Sequence, residues 1–344
     1  MRKSICILAL SVLPWAAGQS FAHDKTDIVV LKNGDHLTCE IKEMARGKLK
    51  VSTDAMGTIS IEWDDIVELH TKFYFRASTG GGVRYYGVPD LAHGETTLRI
   101  IGARSLASIE MSRVVELTPL EKTFWARMDG SLSFGFSFTK AADVAQLTFD
   151  WVNVYRTERN LYDLRISALL TDTRDSSEYT RRGDVTLNYT RLLKGKWTGS
   201  ANGSVQRNDE LNLRRRLLFG VASGIHPIQN NRTILNMSAG VALNSEVATD
   251  SSNATQSMEG VFSLAYSLFQ YDSPKADIST DVDYYPSITE SGRYRLDLNI
   301  KVRYEVFSDF FFDVSYFYNF DSQPPSGTGA TEDFGIVTSI GWSY

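Results

Sequence analysis

Past its first 22 residues the sequence contains no run of about 18 apolar residues without charge, so no segment reads as a membrane-crossing helix. A transmembrane β-barrel would escape that test, because every second residue of its strands faces a polar interior. Cysteine is nearly missing. Cys6 lies in the N-terminal leader and Cys39 is the only other one, which excludes an internal disulfide in an exported chain and leaves Cys39 as a small buried apolar residue. A basic excess is also lacking: taking Arg2 and Lys3 from 36 basic residues leaves 34 against 41 acidic ones, a net charge of −7, with no nucleic-acid footprint. Histidine occurs five times, and beyond residue 122 only as His226.

What is present begins with MRKSICILALSVLPWAAGQSFA: two basic residues, an apolar run from Ile5 to Leu13, and small residues ending at Ser20, Phe21 and Ala22. That is the pattern of a secretory signal peptide over residues 1–22, cut after Ala22. The apolar run is well short of the roughly 20 residues a membrane helix needs, so export is the expectation.

Residues 23–121 carry an internal repeat, over about 27–71 and 75–119. "IEWDDIVELHT" at 61–71 returns as "IEMSRVVELTP" at 109–119, and Gly34 in "KNGD" meets Gly82 in "TGGGV" at the same offset. Glycine-bearing turns between short apolar runs predict hairpins, and two copies are too few for a solenoid, so a tandem of small SH3-like β-barrels is expected.

From 122 to 344 the pattern changes to long two-sided segments. Leu132, Phe134, Phe136 and Phe138 alternate with Ser131, Ser133 and Ser137, and the same period of two recurs in eleven further segments through Phe334–Tyr344. "RYRLDLNIKVRYEVF" at 293–307 is about twice the length of a usual soluble strand. The longest breaks, at 171–178, 246–256 and 321–331, all fall at one end of the strands, and shorter turns such as "RTERN" and "LLKGK" fall at the other. Aromatic residues sort into two belts, with Tyr155, Tyr162, Tyr189 and Trp342 toward one end and Phe136, Phe138, Tyr284 and Tyr294 toward the other. Long outer loops, short inner turns and two aromatic girdles predict an all-β fold containing a twelve-stranded antiparallel transmembrane β-barrel.

The ending "VTSIGWSY", with Trp342 and Tyr344 on one face, resembles the C-terminal strand by which bacterial outer-membrane barrels are recognised by their assembly machinery. "VVLKNGDHLTCEI" at 29–41 and "ISIEWDDIVEL" at 59–69 are similar to the periplasmic module of an uncharacterised outer-membrane β-barrel family, a domain of unknown function, that includes proteins described as salt-induced outer membrane proteins. The resemblance implies a cell outer-membrane location in a Gram-negative envelope, with the N-terminal region in the periplasm. It carries over no activity and no catalytic residues.

Catalysis is not expected. General-base chemistry near neutral pH favours imidazole, and the strand count puts His226, in "IHPIQNN", on an inner turn rather than at the outer rim where membrane hydrolases act. His36 and Cys39, three apart on a strand, face opposite ways and make no metal site; no cofactor is implied.

The interior-facing charges are the candidates for function. One strand offers Lys275, Asp277, Asp281 and Asp283, and its neighbour Arg293, Arg295, Asp297, Lys301, Arg303 and Glu305; Asp163, Arg165, Arg182 and Asp184 form a second patch. They read either as an ion-pair network filling a narrow lumen or as the charged wall of a narrow channel for small polar or ionic solutes. The alternative role is a closed anchor tethering the periplasmic module to peptidoglycan or a periplasmic protein. Arg214, Arg215 and Arg216 near an outer loop are candidates for contact with lipopolysaccharide phosphates, since arginine binds phosphate through two parallel hydrogen bonds. Outer-membrane lipid and the barrel assembly machinery are the expected partners, and nucleic acid is not.

Overall fold

In a computed structural model of the chain, residues 25–342 are described apart from 104, 122, 141–143, 174–179, 210–212, 250–253 and 324–330. The segment 1–22 expected to be a signal peptide, Tyr344 and most of the long connections lie outside the described residues. Every described regular element is a strand or a single-turn 3-10 helix.

Ten strands form an N-terminal unit: β1 (Asp27–Leu31), β2 (His36–Ala45), β3 (Lys48–Thr53), β4 (Gly57–Glu62), β5 (Ile66–His70), β6 (Phe75–Thr79), β7 (Arg84–Leu91), β8 (Thr97–Ile101), β9 (Leu106–Glu110) and β10 (Val114–Pro119). β6 to β10 retrace β1 to β5, and a 3-10 turn precedes the fifth strand of each copy, at Trp63–Asp65 and Met111–Arg113. The two copies do not form the separate barrels expected. β5 of the first pairs with β7 of the second, and β10 of the second pairs with β2 of the first. One apolar core results, drawing Val29, Leu49, Trp63 and Leu69 from one copy and Phe75, Leu98, Ile100 and Leu117 from the other. The physical reason is size: some 45 residues bury too little apolar surface to fold alone, so the copies complete each other. Trp63, 1% exposed, donates its indole N–H to the carbonyl of Met111, its counterpart 48 residues on. Cys39 is fully buried, as expected, and burial is the main reason its thiol is pushed up to about 12.

Across β6 and β10, the Arg76 guanidinium lies 2.7 Å from the Glu116 carboxylate, which also accepts from the hydroxyls of Ser78 and Thr118. Burial pushes the Glu116 carboxyl up, but Arg76 and the two hydroxyls outweigh it and hold the group below its ordinary value. A depressed folded value means stability that is present above the unfolded value and lost as pH falls through the folded one. Thermal melts of the full chain between about pH 5 and about pH 3 should therefore show a shallower acid slope in Glu116→Gln than in wild type; equal slopes would remove Glu116 from the acid sensitivity.

The remaining strands are β11 (Met128–Thr139), β12 (Val144–Arg156), β13 (Asn160–Thr173), β14 (Thr180–Leu192), β15 (Trp197–Asn208), β16 (Leu213–Gln229), β17 (Thr233–Ala248), β18 (Thr255–Gln270), β19 (Ala276–Pro286), β20 (Tyr294–Phe307), β21 (Phe310–Asp321) and β22 (Glu332–Trp342). They make one antiparallel sheet of twelve strands in sequence order, as the alternation predicts. Among the described residues no pairing joins β11 to β22, so both edges of the sheet are open.

Register puts all the apolar parities on one face. Phe134 lies opposite Phe149, Ile166 opposite Val185, Val221 opposite Val241, Tyr284 opposite Leu296 and Tyr318 opposite Phe334. That face is open to solvent across the whole sheet, with Phe136 at 73%, Phe219 at 55% and Ile340 at 69% exposure. At its ends the rings touch: Tyr162 sits 5.0 Å from Tyr189 at one, and Tyr294 lies 5.4 Å from Phe320 at the other.

The short turns define a proximal end, and the N-terminal unit is docked there. Arg76 donates to the carbonyl of Glu158, and Arg84 donates to the carbonyls of Leu193 and Gly195. Asn231 donates to the carbonyl of Val114, the Tyr271 hydroxyl donates to the carbonyl of Arg46, and Lys48 stands 3.6 Å above the Tyr271 ring. Gly82 and Gly47, both with left-handed backbone, lie where a Cβ would come within 2.6 Å of Gly195 and 2.7 Å of Asn231. Only glycine permits an approach that close at positive φ.

Candidate functional site

The polar face of the twelve-stranded sheet carries the predicted charges, and register decides their neighbours. Asp277 lies opposite Arg303, Ser279 opposite Lys301, Asp281 opposite Asn299, and Asp283 opposite Asp297. The last is a like-charged pair, an arrangement that costs stability in a sheet.

The arginines of β20 and its leading loop take their counter-charges from elements other than β19. Arg293 donates to Asp321 at 2.8 Å and to Glu290 at 2.8 Å, Arg295 meets the buried Glu259 at 2.6 Å, and Arg303 reaches Asp313 at 2.6 Å. Asp277 is held instead by Arg46 of the N-terminal unit, both carboxylate oxygens at 3.0 Å. Lys275, just before β19, and Glu305, near the end of β20, meet at the proximal end: Glu305, 1% exposed, accepts from the Ser273 hydroxyl and the Lys275 and Asp309 amides. Asp281, Asp283, Asp297 and Lys301 have no ion pair or side-chain hydrogen bond among the described residues.

In the second patch Arg165 bonds Asp163 two residues away on its own strand, Asp184 accepts from Thr186, and Arg182 is exposed opposite Leu169. The three arginines at 214–216 separate. Arg216 turns to the polar face, 2.8 Å from Glu246 and 3.0 Å from Gln206, while Arg214 and Arg215 are exposed.

At the distal end, Arg216, Arg293 and Arg295 with Glu246, Glu259 and Asp321 line a cavity of about 690 Å³. Sequence reasoning missed these carboxylates, although Glu246, Glu259, Asp313 and Asp321 each stand on the polar parity of their strands. Arg46 carried no such signal. His226 also moves: it lies within β16 rather than on a turn, because pairing resumes at Ile228 opposite Leu235 after a bulge, and its Nδ1 is 2.5 Å from the Asn236 amide oxygen.

A sheet with one continuous exposed apolar face and one charged face, docked on a small β-unit, defines an all-β protein of two β-sheets. The family model described as "Protein of unknown function, DUF481" matches residues 133–341, more than half of the chain, and the chain belongs to that family. No curated protein matches it.

Proposed function

We propose that this chain is an exported, non-enzymatic outer-membrane protein whose twelve-stranded sheet closes into a transmembrane barrel around a narrow, charge-lined channel for small polar or ionic solutes. The observation that carries this reading is the exposed apolar face running unbroken from β11 to β22. A monomer in water rarely exposes more than a few hundred Å² of contiguous apolar surface, whereas lipid accepts a wider band flanked by aromatic belts. Closure sets the opposite face inside, where most arginines are matched and, among the described residues, Asp184, Asp281, Asp283 and Asp297, without basic partners, outnumber Arg182 and Lys301. A wall of that sign favours cations.

In planar bilayers the purified protein should give reproducible conductance steps, with a reversal potential on the cation side in a salt gradient. Asp283→Asn with Asp297→Asn should move that potential toward zero; an unmoved potential would remove this pair as the selective element. Absence of steps across a range of salts would leave the second reading, a closed anchor holding the N-terminal unit near peptidoglycan or a periplasmic protein, which the many ion pairs of the polar face favour. A band that does not shift on heating before gel electrophoresis would sink the barrel itself.

A further inference from the structure

The N-terminal unit touches four successive proximal turns: β12 to β13 at Glu158, β14 to β15 at Leu193 and Gly195, β16 to β17 at Asn231, and β18 to β19 at Tyr271. The first and last of these are six strands apart in a sheet of twelve. On a closed ring six strands are half the circumference, so the two turns stand at opposite ends of a diameter. A body bonded to both lies across the mouth. Size agrees: twelve strands about 4.8 Å apart and tilted about 39° enclose a ring about 24 Å wide, and a globule of residues 27–119 is about 30 Å across.

With the mouth spanned, passage depends on what is left at the side. A cleft of about 700 Å³ lies at the edge of the contact, lined by Lys72 and Leu120 of the unit and by Arg127, Arg156 and Glu158 among others. Lys72, Tyr74 and Val88 of the N-terminal unit bound it on one side, and Arg127, just before β11, with Arg156 and Glu158 at the proximal end of β12 bound it on the other. We infer that the N-terminal unit is a fixed cap across the proximal mouth and that this cleft is the side portal through which solutes leave or enter the lumen. The inference rests on the channel reading above. It assigns the N-terminal unit a role in conduction, where the sequence suggested only tethering.

The test uses the full chain in planar bilayers, with single cysteines introduced on a background whose Cys39 is buried. Glu158→Cys is placed in the cleft on an exposed turn, and Glu95→Cys is an exposed control on the β7 to β8 turn. A bulky thiol reagent added on the proximal side should cut the conductance of Glu158→Cys by about half or more and leave Glu95→Cys unchanged, since a constriction governs the current. Arg46→Ala and Arg84→Ala, which remove the ion pair to Asp277 and the bonds to the Leu193 and Gly195 carbonyls, should loosen the cap and raise conductance several-fold while heat-modifiable migration is kept. A conducting Glu158→Cys protein that ignores the reagent, or a double variant with wild-type conductance, would overturn the portal and the cap respectively. A silent wild type with a conducting double variant would mean a tight cap and no portal, which also overturns it. Silence from both proteins instead fails the channel reading.

Discussion

Oxidation of a Ser133→Cys, Ser339→Cys chain folded in a membrane joins β11 to β22 within one molecule, and the same experiment with Ser131→Cys or Gly135→Cys in place of Ser133→Cys gives little product. The expectation comes from the registers. A path perpendicular to the strands leaves Met128, passes Tyr155, Tyr162 and Tyr189, and arrives at Tyr294 on β20. Continued at the registers of β21 and β22 it reaches position 330. Closure by pairing Ser133 with Ser339 displaces the last strand from that path by about 14 residues, which tilts twelve strands by about 39°, the middle of the range that barrels adopt. The neighbouring choices give about 35°, at the lower border of that range, and about 43°, farther from its middle. Offsets of odd size are excluded, because a slip by one residue would turn Phe134, Phe136 and Ile340 inward. A covalent dimer in place of the cross-linked monomer would show that the open edges pair between molecules, and the barrel would fall.

Trp63→Ala carries the second large effect. The ring is 1% exposed in the core shared by both repeat copies, and its indole N–H satisfies the Met111 carbonyl. Deleting a buried tryptophan side chain costs about 3–5 kcal/mol through lost burial and the cavity left behind, and the carbonyl loses its donor as well. That is a large share of the 5–15 kcal/mol that holds a typical domain together. The N-terminal unit should become protease-sensitive at temperatures where the twelve-stranded sheet still shows heat-modifiable migration. Simultaneous loss of both would mean the sheet depends on the unit for its fold; unchanged protection would mean the core repacks around the missing ring.

The twelve strands were legible because the period of two is written in the side chains themselves, from Leu132 to Trp342. The repeat was legible because the same residues return 48 positions on, from Ile61 and Glu62 to Ile109 and Glu110; the 3-10 turn before each fifth strand was not foreseen. What could not be read was who meets whom. That β5 reaches across to β7 and β10 to β2 depends on edges that look alike in any strand. The charges on β20 were identified as a set, yet Arg303 found Asp313 directly opposite on β21 and Arg295 found Glu259 two strands away on β18, relations that only register supplies. Asp283 facing Asp297 contradicts the simple idea that opposite charges are placed opposite each other. The docking of the N-terminal unit was the least legible, because Arg76 and Arg84 bind main-chain carbonyls, which every residue type possesses.

The reciprocal pairing of the two repeat copies has a consequence for how such a unit can arise and change. A single copy would be complete only as a symmetric dimer, each molecule lending its second and fifth strands to the other. Fused into one polypeptide, the halves no longer need to be identical, and here they are not: the first copy grips the sheet through Arg46, Gly47 and Lys48, the second through Arg76, Gly82 and Arg84, at positions that do not correspond between the copies. Two unlike halves can thus fit a set of turns that has no two-fold symmetry.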